Sequence, residues 1–214
     1  MGSLDLSTTL NEKGLKFLKS HRGGIGSHPP RRSTPLAGLW PSVFNLATKA
    51  AITANATCGE RGREEFCRIA DNGKGRCGIC DNFSPDPGKR HSINFAIDGS
   101  NRWWQSPAVY YGPHYEYVTI TIDLKQVYQI AYVIIKMANS PRPGTWILER
   151  SIDDQNYEPW QYFARTDKEC LERFGIPATK GKPHYFTDNE VICTSFYSKL
   201  TPIENGEVSL ESAE

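Results

Sequence analysis

A chain of 214 residues is long enough for one substantial domain with its own core, and 38% hydrophobic with 11% aromatic residues describes a folded globular protein. Its formal charge of +1 gives no global reason to expect nucleic acid or acidic substrates. No apolar run approaches the roughly 20 residues of a membrane span, and the opening MGSLDLSTTLNEKGLKFLKSH never builds the apolar stretch of a secretory signal.

Residues 1 to 36 read as a poorly ordered basic extension, with six Lys or Arg against two acids, ending in SHPPRRSTP, where Pro and Ser stop any helix. Within it LNEKGLKFLKS clusters Leu10, Leu15 and Leu18. Gly14 and the short length nevertheless make it a solvated tail, not a membrane or partner helix. Residues 37 to 214 form the second unit. LWPSVFNLATKAAITANATCG leads from an aromatic anchor into a first strand, and Cys58 to Arg90, rich in Gly, Cys, Asp and Pro, reads as a stapled loop region. In YVTITIDLKQVYQIAYVIIKM, Val118, Ile120, Ile122 and Leu124 alternate with Thr119, Thr121 and Asp123, the period of a strand with one buried face. Val127 to Met137 is a second, more apolar strand. A turn at Pro141, Pro143 and Gly144 precedes a third, TWILERS. IDDQNYEPW reads as a hairpin turn into WQYFA, and EVICTSFYS belongs to a last strand pair. Short strands between turn signals, with little helical periodicity, predict an all-β sandwich.

Six cysteines are present, at Cys58, Cys67, Cys77, Cys80, Cys170 and Cys193. The first four admit a disulfide knot or a zinc site built on the C-x-x-C at 77 to 80. The wide spacing of Cys58 and Cys67 favours disulfides, as do the sequons at Asn55 and Asn82 that flank the cluster; Pro85 weakens the second sequon. The connectivity of these four stays open. Cys170 and Cys193 bracket a polar excursion, and a bridge between them would stabilise by about 3 kcal/mol in the chain-entropy model. The adjacent Trp103 and Trp104 face opposite ways in a strand, so one is expected in the core and the other against a loop. The five histidines are scattered, with no nucleophile elbow or H-E-x-x-H, and GKGRCG lacks the Walker spacing, so no catalytic constellation stands.

FNLATKAAITANATCGE, RCGICD, HSINFAIDGSNRWWQSP, VTITIDLKQVYQIAYVIIKMANSPRPGTWILERS, EPWQYFA and EVICTSFYSKLTPIENGE together resemble the laminin N-terminal domain, most closely that of a laminin α subunit. The resemblance runs in order from about Leu39 to Val208. It implies a β-sandwich jelly roll of the galactose-binding, discoidin-like kind. It implies a secreted module of the basement membrane, whose partners are the N-terminal domains of laminin β and γ subunits in polymer nodes, and a role in cell adhesion. It also implies a calcium ion at the Asp98-Gly99 turn, held by the Phe95 carbonyl, the Asp98 carboxylate and oxygens of Ser100 and Ser106. Calcium takes six to eight oxygens, so further ligands are needed. TPIENGE matches the family's polymerisation-face segment, which assigns contact roles to Pro202, Glu204, Asn205, Gly206 and Glu207. The first 36 residues are unlike the family's start. The pattern is left after ENGEV, where the family continues through more strands into EGF-like repeats, so the sandwich is expected to be truncated at its C-terminal strands. Competing readings are a netrin-like domain and a discoidin-like module binding carbohydrate or cell-surface receptors.

Overall fold

The computed structural model describes residues 4–7, 15–18, 45–69, 74–108, 117–128, 130, 132–137, 143–187, 189–198 and 207–211. In chain order the strands are β1 (Leu4–Ser7), β2 (Leu15–Leu18), β3 (Ala51–Ala54), β4 (Glu64–Ile69), β5 (Gly75–Cys80), β6 (Trp104–Gln105), β7 (Ile120–Asp123), β8 (Tyr132–Met137), β9 (Trp146–Ser151) and β10 (Glu158–Phe163); after helix α1 (Asp167–Phe174) come β11 (Cys193–Thr194) and β12 (Glu207–Glu211). One sheet has the order β12-β8-β1-β6, a second the order β11-β10-β9-β2-β7-β3, and β4 with β5 form a separate hairpin. The domain is all-β, as its turn-punctuated pattern predicts. Two four-residue segments of the stretch read as a solvated tail are extended and paired: β1 runs parallel to β6 and β8, and β2 runs parallel to β7 and β9.

One hydrophobic cluster draws on both larger sheets, which places them on the two sides of a single core. In β7 the expected alternation is present: Ile120 and Ile122 are wholly buried while Thr121 and Asp123 are half-buried, and Val118 and Leu124 extend the same inner face. β8 contributes Val133, Ile135 and Met137, and β9 contributes Trp146 and Leu148. The Trp146 ring stacks on Phe163 of β10 with centroids 3.7 Å apart and planes at 4°. Each such buried side chain removes enough apolar surface to be worth about 1.5–3 kcal/mol. β8 is shorter than the apolar run from Val127 suggests. A turn closes β7 at its end, where the Asp123 carboxylate accepts from the Lys125 amide at 2.7 Å and Lys125 takes a φ of 69°. The β9–β10 hairpin is antiparallel as expected, closed by Asp153, whose carboxylate accepts from the Gln155 and Asn156 amides.

Trp104 is wholly buried in the core, and its indole N–H donates to the buried Thr57 hydroxyl at 3.1 Å. The next turn of chain leads into the cysteine region, which is more than a loop: β4 and β5 pair from Glu64 opposite Cys80 to Ile69 opposite Gly75. The bridges are Cys58–Cys80, enclosing Cys67–Cys77, and Cys170–Cys193. Cys77 and Cys80 therefore belong to different bridges, which excludes their use as a zinc pair. Gly59 follows Cys58 with a φ of 85°, and a Cβ there would lie 2.7 Å from the Asp81 nitrogen and 2.9 Å from the Cys80 carbonyl carbon. Only glycine admits both that conformation and that backbone approach.

Helix α1 lies in the segment read as a polar excursion. Only Glu169 and Cys170 are buried on it, so no apolar stripe marks it in the sequence. Its signals are at the ends. The Thr166 side chain accepts from the Glu169 amide at 3.2 Å, and Gly175, with a φ of 67°, closes the last turn through its amide to the Leu171 carbonyl. The strand in EVICTSFYS, β11, is also shorter than that stretch suggests, because the Thr194 hydroxyl accepts from the Phe196 amide at 3.1 Å and turns the chain after it.

Glu169 is a buried carboxylate between two cations, Arg165 at 2.9 Å and Arg173 at 2.9 Å, and it also accepts from the Arg165 amide. The Arg165 hydrogen bond, opposed by burial, holds its carboxyl below the ordinary range. A carboxyl depressed in the folded state stabilises the fold above its unfolded value of about 4.3 and loses that contribution as pH falls through the folded value. Thermal melts at pH 7 and pH 3 should therefore show the wild type losing more stability on acidification than Glu169→Gln, which starts about 1–3 kcal/mol lower at pH 7 because it breaks a buried charge-assisted network. Equal acid sensitivity of the two proteins would refute this. Gly59→Ala is expected to cost about 1–3 kcal/mol from backbone strain, read as a lowered Tm with all three disulfides formed; an unchanged Tm would contradict the close approach.

Candidate functional site

The loop from Ile93 to Trp104 starts with a single 3-10 turn, Ile93–Ala96, whose Ala96 is wholly buried, and then rises to the surface at Asp98. Gly99 adopts a φ of 72°, and the Asp98 Oδ1 accepts from the Ser100 amide at 2.8 Å, the geometry of an Asx turn. Arg102 closes this loop. Its Nη2 donates to Asp98 Oδ2 at 2.6 Å, its backbone N–H and its Nε both donate to the Ser100 hydroxyl at 3.1 and 3.2 Å, and its Cζ lies 3.8 Å above the centre of the Phe95 ring. Slight desolvation raises the Asp98 carboxyl, but the Ser100 and Arg102 donors outweigh it and hold the group below the usual carboxylate range. Three of the four residues expected to surround a calcium ion are thus gathered around one guanidinium. The fourth, Ser106, is buried, and its Oγ has no hydrogen-bond partner. Carbonyl, carboxylate and hydroxyl oxygens are the donors calcium takes, and an orphaned buried hydroxyl suits a ligand of this kind. The four residues fit a calcium shell in donor type and supply only part of its number.

The loop is fastened from behind by the two tryptophans. Trp104 enters the core, while Trp103 tilts onto the buried His91 ring with centroids 4.5 Å apart. His91 Nδ1 lies 3.3 Å from the Trp103 carbonyl, and the Phe66 ring in β4 also packs on His91, with centroids 5.3 Å apart and planes at 81°. An aromatic column therefore joins the stapled hairpin to the residue next to Arg102.

Pro202, Glu204, Asn205 and Gly206 of the expected polymerisation face lie outside the described residues; Glu207 opens β12, opposite Lys136 of β8. The two sequons differ in setting. Asn55 is exposed, its amide nitrogen donating to the Tyr117 carbonyl at 3.0 Å and its oxygen accepting from the Thr119 amide at 2.8 Å. Asn82 is half-buried with its oxygen enclosed and unpaired. The feature that sequence reasoning missed is Arg102. Its spacing of four from Asp98 signals an ion pair only on a helix, and here a loop creates the contact.

No helix among the described residues is long and apolar enough to cross a membrane, and six cysteines in three bridges are the pattern of an oxidising, extracellular setting. Residues 39–214 match the family model of the laminin N-terminal domain (domain VI). Mouse laminin subunit alpha-1 is 55% identical over 177 residues, covering 80% of this chain and 6% of that protein. Human laminin subunit alpha-3 is 45% identical over 188 residues, 79% of this chain and 6% of its own length, and mouse laminin subunit gamma-3 is 31% identical over 185 residues, 81% and 11%. The chain therefore spans a small fraction of the length of the curated relatives it matches. It belongs to the laminin N-terminal (domain VI) family and is most like the α subunits.

Proposed function

We propose that this chain is a non-enzymatic assembly module of the extracellular matrix, which joins the N-terminal domains of laminin β and γ subunits in the nodes of a basement-membrane polymer. The observation that carries this reading is the match to the laminin N-terminal family over residues 39–214, together with 55% identity to a laminin α subunit. A disulfide-braced all-β scaffold suits a part that must hold surface loops in fixed positions outside the cell. The contact surface is the segment Pro202 to Glu207, where carboxylates at Glu204 and Glu207, the Asn205 amide and the Gly206 backbone offer a polar and reversible contact. Calcium at the Phe95, Asp98, Ser100 and Ser106 loop would supply a fixed positive charge that draws these oxygens together. The unpaired Ser106 Oγ supports that reading. Asn55 and Asn82 are the proposed carriers of N-linked glycans, of which Asn55 has the exposed setting.

Charge reversal at Glu204 and Glu207 is expected to leave the Tm close to that of the wild type. The same variant should lose most co-sedimentation with laminin β and γ N-terminal domains. Undiminished co-sedimentation would refute the placement of the contact face.

A further inference from the structure

We infer that Arg102 is a built-in competitor for calcium: its guanidinium closes the Asp98 loop and would have to yield the Asp98 carboxylate to a bound ion. This inference rests on the proposed calcium reading and adds to it a residue that sets the affinity. The guanidinium touches the Asp98 carboxylate at 2.6 Å, the Ser100 hydroxyl at 3.2 Å and the Phe95 ring face at 3.8 Å. A divalent ion seated among the same residues would draw on the Asp98 carboxylate that Arg102 engages and on the Ser100 hydroxyl, whose two lone pairs Arg102 already takes. It would also meet a fixed positive charge at close range, since a guanidinium does not deprotonate in proteins. The two cations thus compete for Asp98.

The latch is weak enough to open. The Arg102 side chain is 55% exposed and that of Asp98 24%, so solvent screens the pair, and an exposed ion pair with an exposed cation–π contact contributes modestly. The ion must still supply the free energy of displacement, which lowers its apparent affinity by the population of the closed state. Loop closure and calcium occupancy therefore become two ends of one equilibrium, and Trp103, next to Arg102 and stacked on His91, sits where that change is felt.

The test is calorimetric titration of calcium chloride, at constant ionic strength, into the wild-type chain and into Arg102→Gln and Asp98→Asn. The Arg102 Nε–Hε resonance is followed by NMR in the wild type. Removing the competitor should tighten calcium binding about 10-fold, equivalent to 1.4 kcal/mol, and Asp98→Asn should abolish it. The Arg102 resonance should move in step with occupancy. Wild type and Arg102→Gln binding calcium equally overturns the competitor while leaving the calcium reading in place. Weaker binding by Arg102→Gln also overturns it, and makes Arg102 a positioning residue. Absence of binding in both proteins removes the calcium reading and the competitor with it. If Arg102→Gln does not fold, a wild-type Arg102 resonance unmoved at saturating calcium overturns the proposal by itself.

Discussion

A wholly buried indole has one polar atom to satisfy, and in this chain a single hydroxyl, that of Thr57, does so. Much of the molecule is arranged around that contact. An unpaired indole N–H in the core would cost about 1–3 kcal/mol, so the segment carrying Thr57 is held against β6. The Cys58 amide reinforces this by donating to the Gln105 carbonyl at 2.8 Å. Cys58 in turn bridges to Cys80, and the whole β4–β5 hairpin hangs from the core at this point. Because adjacent residues of an extended chain face opposite ways, fixing Trp104 inward also fixes Trp103 outward onto His91. The candidate site inherits its position from the core through one peptide bond after another.

The parts of the fold that could be read from the residues are those where burial imposes a period. The alternation through Val118, Ile120, Ile122 and Leu124 survives into the structure because one face of β7 is packed and the other is not. The β9–β10 hairpin was legible for the same reason, and because its turn residues are those a tight reversal needs. Where burial is slight, the period is absent. Among its described residues the β4–β5 hairpin buries only Glu64 and Cys80 and is held by a cross-strand disulfide, so Cys, Gly and charged residues occupy positions that an apolar face would otherwise claim. Helix α1 is marked only by its caps, Thr166 and Gly175, and its buried Glu169 is tolerated because Arg165 and Arg173 neutralise it.

The candidate site shows a different limit. Its residues, Phe95, Asp98, Ser100 and Ser106, were named by the family resemblance and not by any period in the sequence. The presence of Arg102 among them was not legible, because the contact depends on loop geometry and not on a helical or strand period. Disulfide pairing was similar. The bracketing of one excursion by Cys170 and Cys193 was visible, whereas the nested order of the other four depends on the register that sets Cys67 opposite Cys77.

Thr57 is also the third residue of the Asn55 sequon, and in the folded chain it is only 3% exposed. The enzyme that glycosylates such a sequon must read asparagine and hydroxyl residue together on an accessible strand. Once Trp104 has taken the hydroxyl, that reading is closed. Any sugar on Asn55 is therefore a record of time: it is added while the chain is still emerging and Thr57 is in solvent, before the core claims it.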